Sequence, residues 1–154
     1  MTETILIPAQ KMKEVFLSIL LKYQFQKERA ETCAEVFTTN SVDGVYTHGV
    51  NRFAAFIKLV EKGFIFPNNE PERIHAAHAL EQWDGKLAPG ILASIKSTDR
   101  AVELAKANGI GCVALANTNH WMRGGYYAWR AAQNNCVFYW MDQHYCQHAC
   151  VGCR

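Results

Sequence analysis

The segment from Ala88 to Ala116 constrains the fold more than any other. Ile91, Leu92, Ile95, Ala101, Val102, Leu104 and Ala105 recur in helical rows until Gly109 supplies a stop. A continuous apolar run, Ile110-Gly111-Cys112-Val113-Ala114-Leu115-Ala116, follows at once. A long amphipathic helix leading through one glycine into such a run is a helix–strand unit. The run itself reads as a strand buried on both faces of a parallel or mixed sheet. The chain is therefore predicted to be α/β. Gly109-Ile110-Gly111 lacks the third glycine and the strand-then-helix setting of a dinucleotide fingerprint, so the fold is not expected to be a Rossmann fold.

Upstream the pattern is helical. Met12, Val15, Phe16, Ile19 and Leu20 mark a helix after Pro8, and a second spans Lys27 to Asn40 with Ala30, Cys33, Ala34 and Phe37 turned inward. Cys33 on that face reads as a small core hydrophobe. A third helix carries Val50, Phe53, Ile57 and Val60 and ends at Gly63. Between Arg73 and Trp83 the spacing alternates, with Ile74, Ala76, His78, Leu80 and Gln82 on one side and Asp84-Gly85 as a turn signal. This predicts a strand or hairpin whose His75 and His78 are structural and share no metal. Tyr126 to Gln133 begins a further helix. The expected architecture is thus a helical N-terminal segment followed by part of a mixed sheet with helices.

Two polar clusters interrupt this pattern. In Tyr46-Thr47-His48-Gly49-Val50-Asn51-Arg52-Phe53, Thr47 is in position to cap the third helix, which would set His48 at its N-terminus and Arg52 one turn on. An imidazole there can exchange a proton near neutral pH, and a guanidinium can grip a carboxylate with two parallel hydrogen bonds. The pair suits a small 2-oxo acid; on spacing alone it equally suits a capping histidine and a solvated arginine. The second cluster, Asn117-Thr118-Asn119-His120-Trp121-Met122-Arg123-Gly124-Gly125, follows the apolar strand, and ligands of open α/β sheets gather at the carboxyl ends of strands. With 154 residues, a formal charge of +2 and no basic stripe, nothing points to nucleic acid. No apolar run is long enough to span a bilayer, and the N-terminus lacks an apolar leader core, so no membrane partner and a cytosolic location are expected.

Asp43 to Phe53 and Asn119 to Tyr126, with Glu81-Gln82-Trp83-Asp84 between them, resemble the malate/L-lactate dehydrogenase family, whose nicotinamide-binding fold is not of the Rossmann type. The resemblance runs from about residue 10 to residue 136. It implies an α/β homodimer that uses NAD(P)H, with NADH favoured, to reduce the carbonyl beside a carboxylate. His48 matches the proton-donating histidine of a (Ser/Thr)-His-Gly motif, and His120 matches a second active-site histidine. Arg52, Asn119 and Arg123 are assigned to the 2-oxo acid substrate, Arg52 on chemical grounds. Arg123 equally suits a cofactor phosphate or plain solvation. Family members are considerably longer, and most of their cofactor contacts follow the point where this chain stops. No cofactor-binding residue is therefore assigned.

Near Cys136 the resemblance breaks, dividing the chain into residues 1–136 and a tail of residues 137–154. The family continues with a segment resembling Trp-Thr-Asn-Ser-Ile and a Met-Pro-x-Trp-Gly turn. Met141-Asp142 is encoded by ATG-GAY, and reading one nucleotide later gives TGG, tryptophan. In that frame the codons for Asp142 through Gly152 permit Thr-Asn-Thr-Ile-Ala-Asn-Met-Pro-Ala-Trp-Gly, the family pattern. The tail is thus expected to be a frameshifted translation and the chain truncated and inactive. Taken at face value, Cys146, Cys150 and Cys153 with His144 and His148 have the spacing of a tetrahedral zinc site, and the chain would be a small metal-binding or interaction protein. The frame argument favours the first reading, with no metal.

Overall fold

A computed structural model describes residues 6–141. Three helices, α1 (Ala9–Lys22), α2 (Lys27–Val42) and α3 (Val50–Glu61), form the N-terminal layer, with a short 3-10 turn at Tyr46–His48 between α2 and α3. A hairpin of β1 (Glu72–Ala77) and β2 (Leu80–Asp84) follows, then α4 (Gly90–Asn108), β3 (Cys112–Ala116) and α5 (Gly124–Ala132). The strands lie in the order β1-β2-β3, antiparallel in the hairpin and parallel between β2 and β3, so the sheet is mixed.

The helical stripes converge on one aromatic core. Phe37 of α2 meets Phe53 and Phe56 of α3 edge-on at 5.1 and 5.3 Å between ring centroids, and Phe16 of α1 lies 4.3 Å from Phe53. Each buried Phe contributes about 1.5–3 kcal/mol of transfer free energy. Ile91 of α4 and Met122, beyond β3, close the same core and join the helical layer to the sheet layer. Cys33 sits within it, and burial pushes its thiol up to about 12, as a core hydrophobe requires. Gly63 and Gly109 end α3 and α4 with positive φ, the glycine stops read from the sequence.

Two expectations for the sheet need correction. The strand Cys112–Ala116 is not buried on both faces: Cys112, Ala114 and Ala116 are exposed, while Val113 and Leu115 lie half-buried on the α4 side. In the hairpin the buried row of β2 is Glu81 and Trp83, whereas Leu80 and Gln82 face out and every residue of β1 is exposed. Glu81 is 1% exposed because α4 and β1 supply its partners. Arg100 donates to its carboxylate at 2.8 and 3.1 Å, Arg73 at 3.1 Å and Trp83 Nε1 at 2.9 Å. The Arg100 guanidinium above all, then Trp83 and Arg73, holds that carboxyl at about 2, against the desolvation that pushes it up.

Candidate functional site

His48 is not in the first turn of α3. It closes the 3-10 turn, and Gly49 occupies the N-cap position. Thr47 does not cap the helix either: its Oγ1 shares a 2.9 Å hydrogen bond with His48 Nδ1. The cap comes from α2, where Ser41 Oγ accepts the Val50 N–H at 2.9 Å. Asn40, also on α2, donates from Nδ2 to the His48 carbonyl at 3.0 Å. Gly49 is required for this approach, since a Cβ there would stand 2.3 Å from Ser41 Oγ.

His120 arrives from the other layer, three residues beyond the β3 crossing into Asn117. Asn119 Nδ2 donates to the Phe64 carbonyl at 2.8 Å, tying this loop to the exit of α3. Gly90 at the start of α4 lets the loop backbone pass, as a Cβ there would meet the Asn119 carbonyl oxygen at 2.1 Å. Met122, with φ +70° and 4% exposed, plugs the helical core immediately afterwards. The Met122 N–H donates to His120 Nδ1 at 2.9 Å. A backbone N–H can only donate, so Nδ1 is an acceptor and the neutral ring carries its proton on Nε2. Trp121 stacks on Tyr127 of α5 at 5.1 Å, and the Tyr127 hydroxyl returns a bond to the Trp121 carbonyl.

The two imidazoles stand 5.5 Å apart between ring centroids, both half-buried. A ring of fixed tautomer thus stands beside one whose Nδ1 faces a hydroxyl. The other sequence-predicted residues fare differently. Arg52 is half-buried and makes no ion pair or side-chain hydrogen bond among the described residues. Asn119 spends its amide on the backbone of Phe64. Arg123 is committed to Asp43 at the end of α2 and lines a cavity of about 280 Å³ with Tyr126, Trp129 and Arg130, which neither histidine enters. Asn40 and Ser41 were not singled out. Their signal was present, since they extend the Ala30, Cys33, Ala34, Phe37 stripe by another turn and place polar side chains on its buried face.

The N-termini of α4 and α5 are covered. Backbone of Asn119 and His120 lies against Gly90 of α4, and Trp140 approaches to 3.1 Å of a Cβ position at Gly124 of α5. The described residues thus offer no open pyrophosphate cradle at these two helix starts. They also hold no group of three or more His, Cys, Asp or Glu side chains that could bind a metal; the Cys/His-rich tail lies outside them. No helix among them is long and apolar enough to cross a membrane.

The mixed sheet flanked by helices has counterparts among known proteins. A profile of the malate/L-lactate dehydrogenase family matches residues 7–152, and the chain belongs to that family. Among curated relatives it is 48% identical over 128 residues to 2,3-diketo-L-gulonate reductase of Citrobacter koseri, covering 83% of this chain and 39% of that enzyme. The enzyme of the same name from Klebsiella oxytoca is 46% identical over the same shares. Malate dehydrogenase of Entamoeba histolytica superposes with a TM-score of 0.81 at 29% identity, covering 86% of this chain and 37% of that one. Sulfolactate dehydrogenase of Methanocaldococcus jannaschii gives 0.81 at 28% identity, covering 85% and 38%. The chain therefore spans about two-fifths of the length of the relatives it matches.

Proposed function

We propose that this chain carries the acid–base half of a 2-oxo acid reductase, with 2,3-diketo-L-gulonate as the favoured substrate. The observation that supports it most is the 5.5 Å pairing of His48 and His120. Reduction of a ketone leaves negative charge on oxygen, and a neighbouring imidazole that can release a proton near neutral pH neutralises it as it develops. In this reading His48 is the proton donor, and His120, with its proton on Nε2, orients the carbonyl oxygen. Arg52 grips the substrate carboxylate. Asn119 and Arg123, assigned to substrate by resemblance, serve mainly by holding the His120 loop through Phe64 and Asp43.

The reductant is a nicotinamide, NADH ahead of NADPH, which supplies hydride when bound. The phosphate-binding part of that site is not among the described residues. The working enzyme is a cytosolic homodimer. The identity to two diketogulonate reductases supports that substrate over malate, lactate or ureidoglycolate, which share the same 2-oxo or 2-hydroxy carboxylate. The experiment replaces the histidine matching His48 by Ala in a full-length relative, followed by NADH oxidation with 2,3-diketo-L-gulonate. Turnover is expected to vanish while NADH still quenches protein fluorescence; an unchanged kcat overturns the reading.

A further inference from the structure

We propose that Asn40 and Ser41, at the C-terminal end of α2, are positioning residues that set where the His48 imidazole stands; this rests on the reading of His48 as the acid–base group. Asn40 is 0% exposed, and its Oδ1 is buried with no partner among the described residues. A leucine has the same branching without an unmet acceptor, so the value of this asparagine lies in the one side-chain bond it makes. That bond ends on the His48 carbonyl at 3.0 Å. Ser41 is equally committed, donating to the Phe37 carbonyl at 2.8 Å while accepting the Val50 N–H at 2.9 Å. Their backbones hold the outgoing arm: the Val45 N–H donates to the Asn40 carbonyl at 2.9 Å and the Gly44 N–H to the Ser41 carbonyl at 3.1 Å.

Residues 44–50 thus leave α2 and return to it, with both ends fastened to the same two residues and His48 between them. Gly49 permits this close return, because any Cβ would press into Ser41. Neither residue is placed on the reacting atoms. They act through the backbone of His48, whose ring is oriented further by Thr47.

The test reads His48 directly, so a failure of carbonyl reduction would leave its outcome unaffected. The full chain and its Asn40→Asp, Asn40→Leu and Ser41→Ala variants are treated with diethyl pyrocarbonate under native conditions, and each histidine is followed by peptide mass spectrometry. Asn40→Asp keeps the shape and exchanges the donor for an acceptor. His48 is expected to react about fivefold faster in each folded variant, the factor that one lost neutral hydrogen bond supplies. The exposed hairpin histidines His75 and His78 should keep their rates. An unchanged His48 rate, or one that rises together with His75 and His78, overturns the proposal. If no variant folds, the unsubstituted chain decides: the Asn40 side-chain amide protons should exchange slowly by NMR, and fast exchange overturns it.

Discussion

Glu81 shows how far one side chain can govern its surroundings. It answers two guanidiniums and an indole from inside the sheet, so Glu81→Gln should cost about 2 kcal/mol, below the 3–5 kcal/mol of a fully buried pair because Arg73 and Arg100 reach solvent. Its carboxyl titrates near 2 when folded against an ordinary 4.5. A depressed pKa stabilises fully above the ordinary value and loses that contribution as pH falls toward the folded one. Urea unfolding should therefore separate the two proteins at pH 7, with the gap closing between about pH 4.5 and pH 2; a gap independent of pH would disprove the assignment. The same residue shows why the hairpin was only partly readable in the sequence. Alternation was visible, yet the inward row is a glutamate and a tryptophan, and its burial depends on Arg100, a residue on another element.

Elements were readable wherever they pack by their own stripe. The helices fall where their apolar rows place them, with ends displaced by a residue or two, since helix termini answer to local bonds more than to pattern. The site histidines stood out in ordered motifs, but the seat of His48 did not: the capping rule selects Thr47, the adjacent residue, while the acting cap is Ser41 from the preceding helix. Two glycines of α4 separate local from tertiary constraint. Gly109 needs its positive φ but faces open space, so Gly109→Ala should cost about 1 kcal/mol from backbone strain alone. Gly90 abuts the Asn119 and His120 backbone, and Gly90→Ala should cost about 3 kcal/mol by forcing the layers apart. Thermal unfolding of both variants checks the order; equal losses would mean that the His120 loop yields freely.

Across the whole molecule, the sheet face bearing Leu80, Cys112 and Ala114 is uncovered, and β3 is its terminal strand among the described residues. An open edge with a weakly polar face recruits other strands, so concentration-dependent association is expected by light scattering. Ala114→Lys should suppress it without changing the circular dichroism spectrum; persistent association would point to another surface. For residues 141–152 the frame reading is settled by the nucleotide sequence, which should continue in the next frame as Trp-Thr-Asn; synonymous choices that forbid it would end that reading. The seam between the layers has a consequence of its own. His48 hangs from the end of α2, while His120 follows β3 on a loop fastened to Phe64 and, through Met122, to the helical core, so the separation of the two rings gauges how well that fastening holds. A slackening of that loop would part the two rings while every helix was still intact.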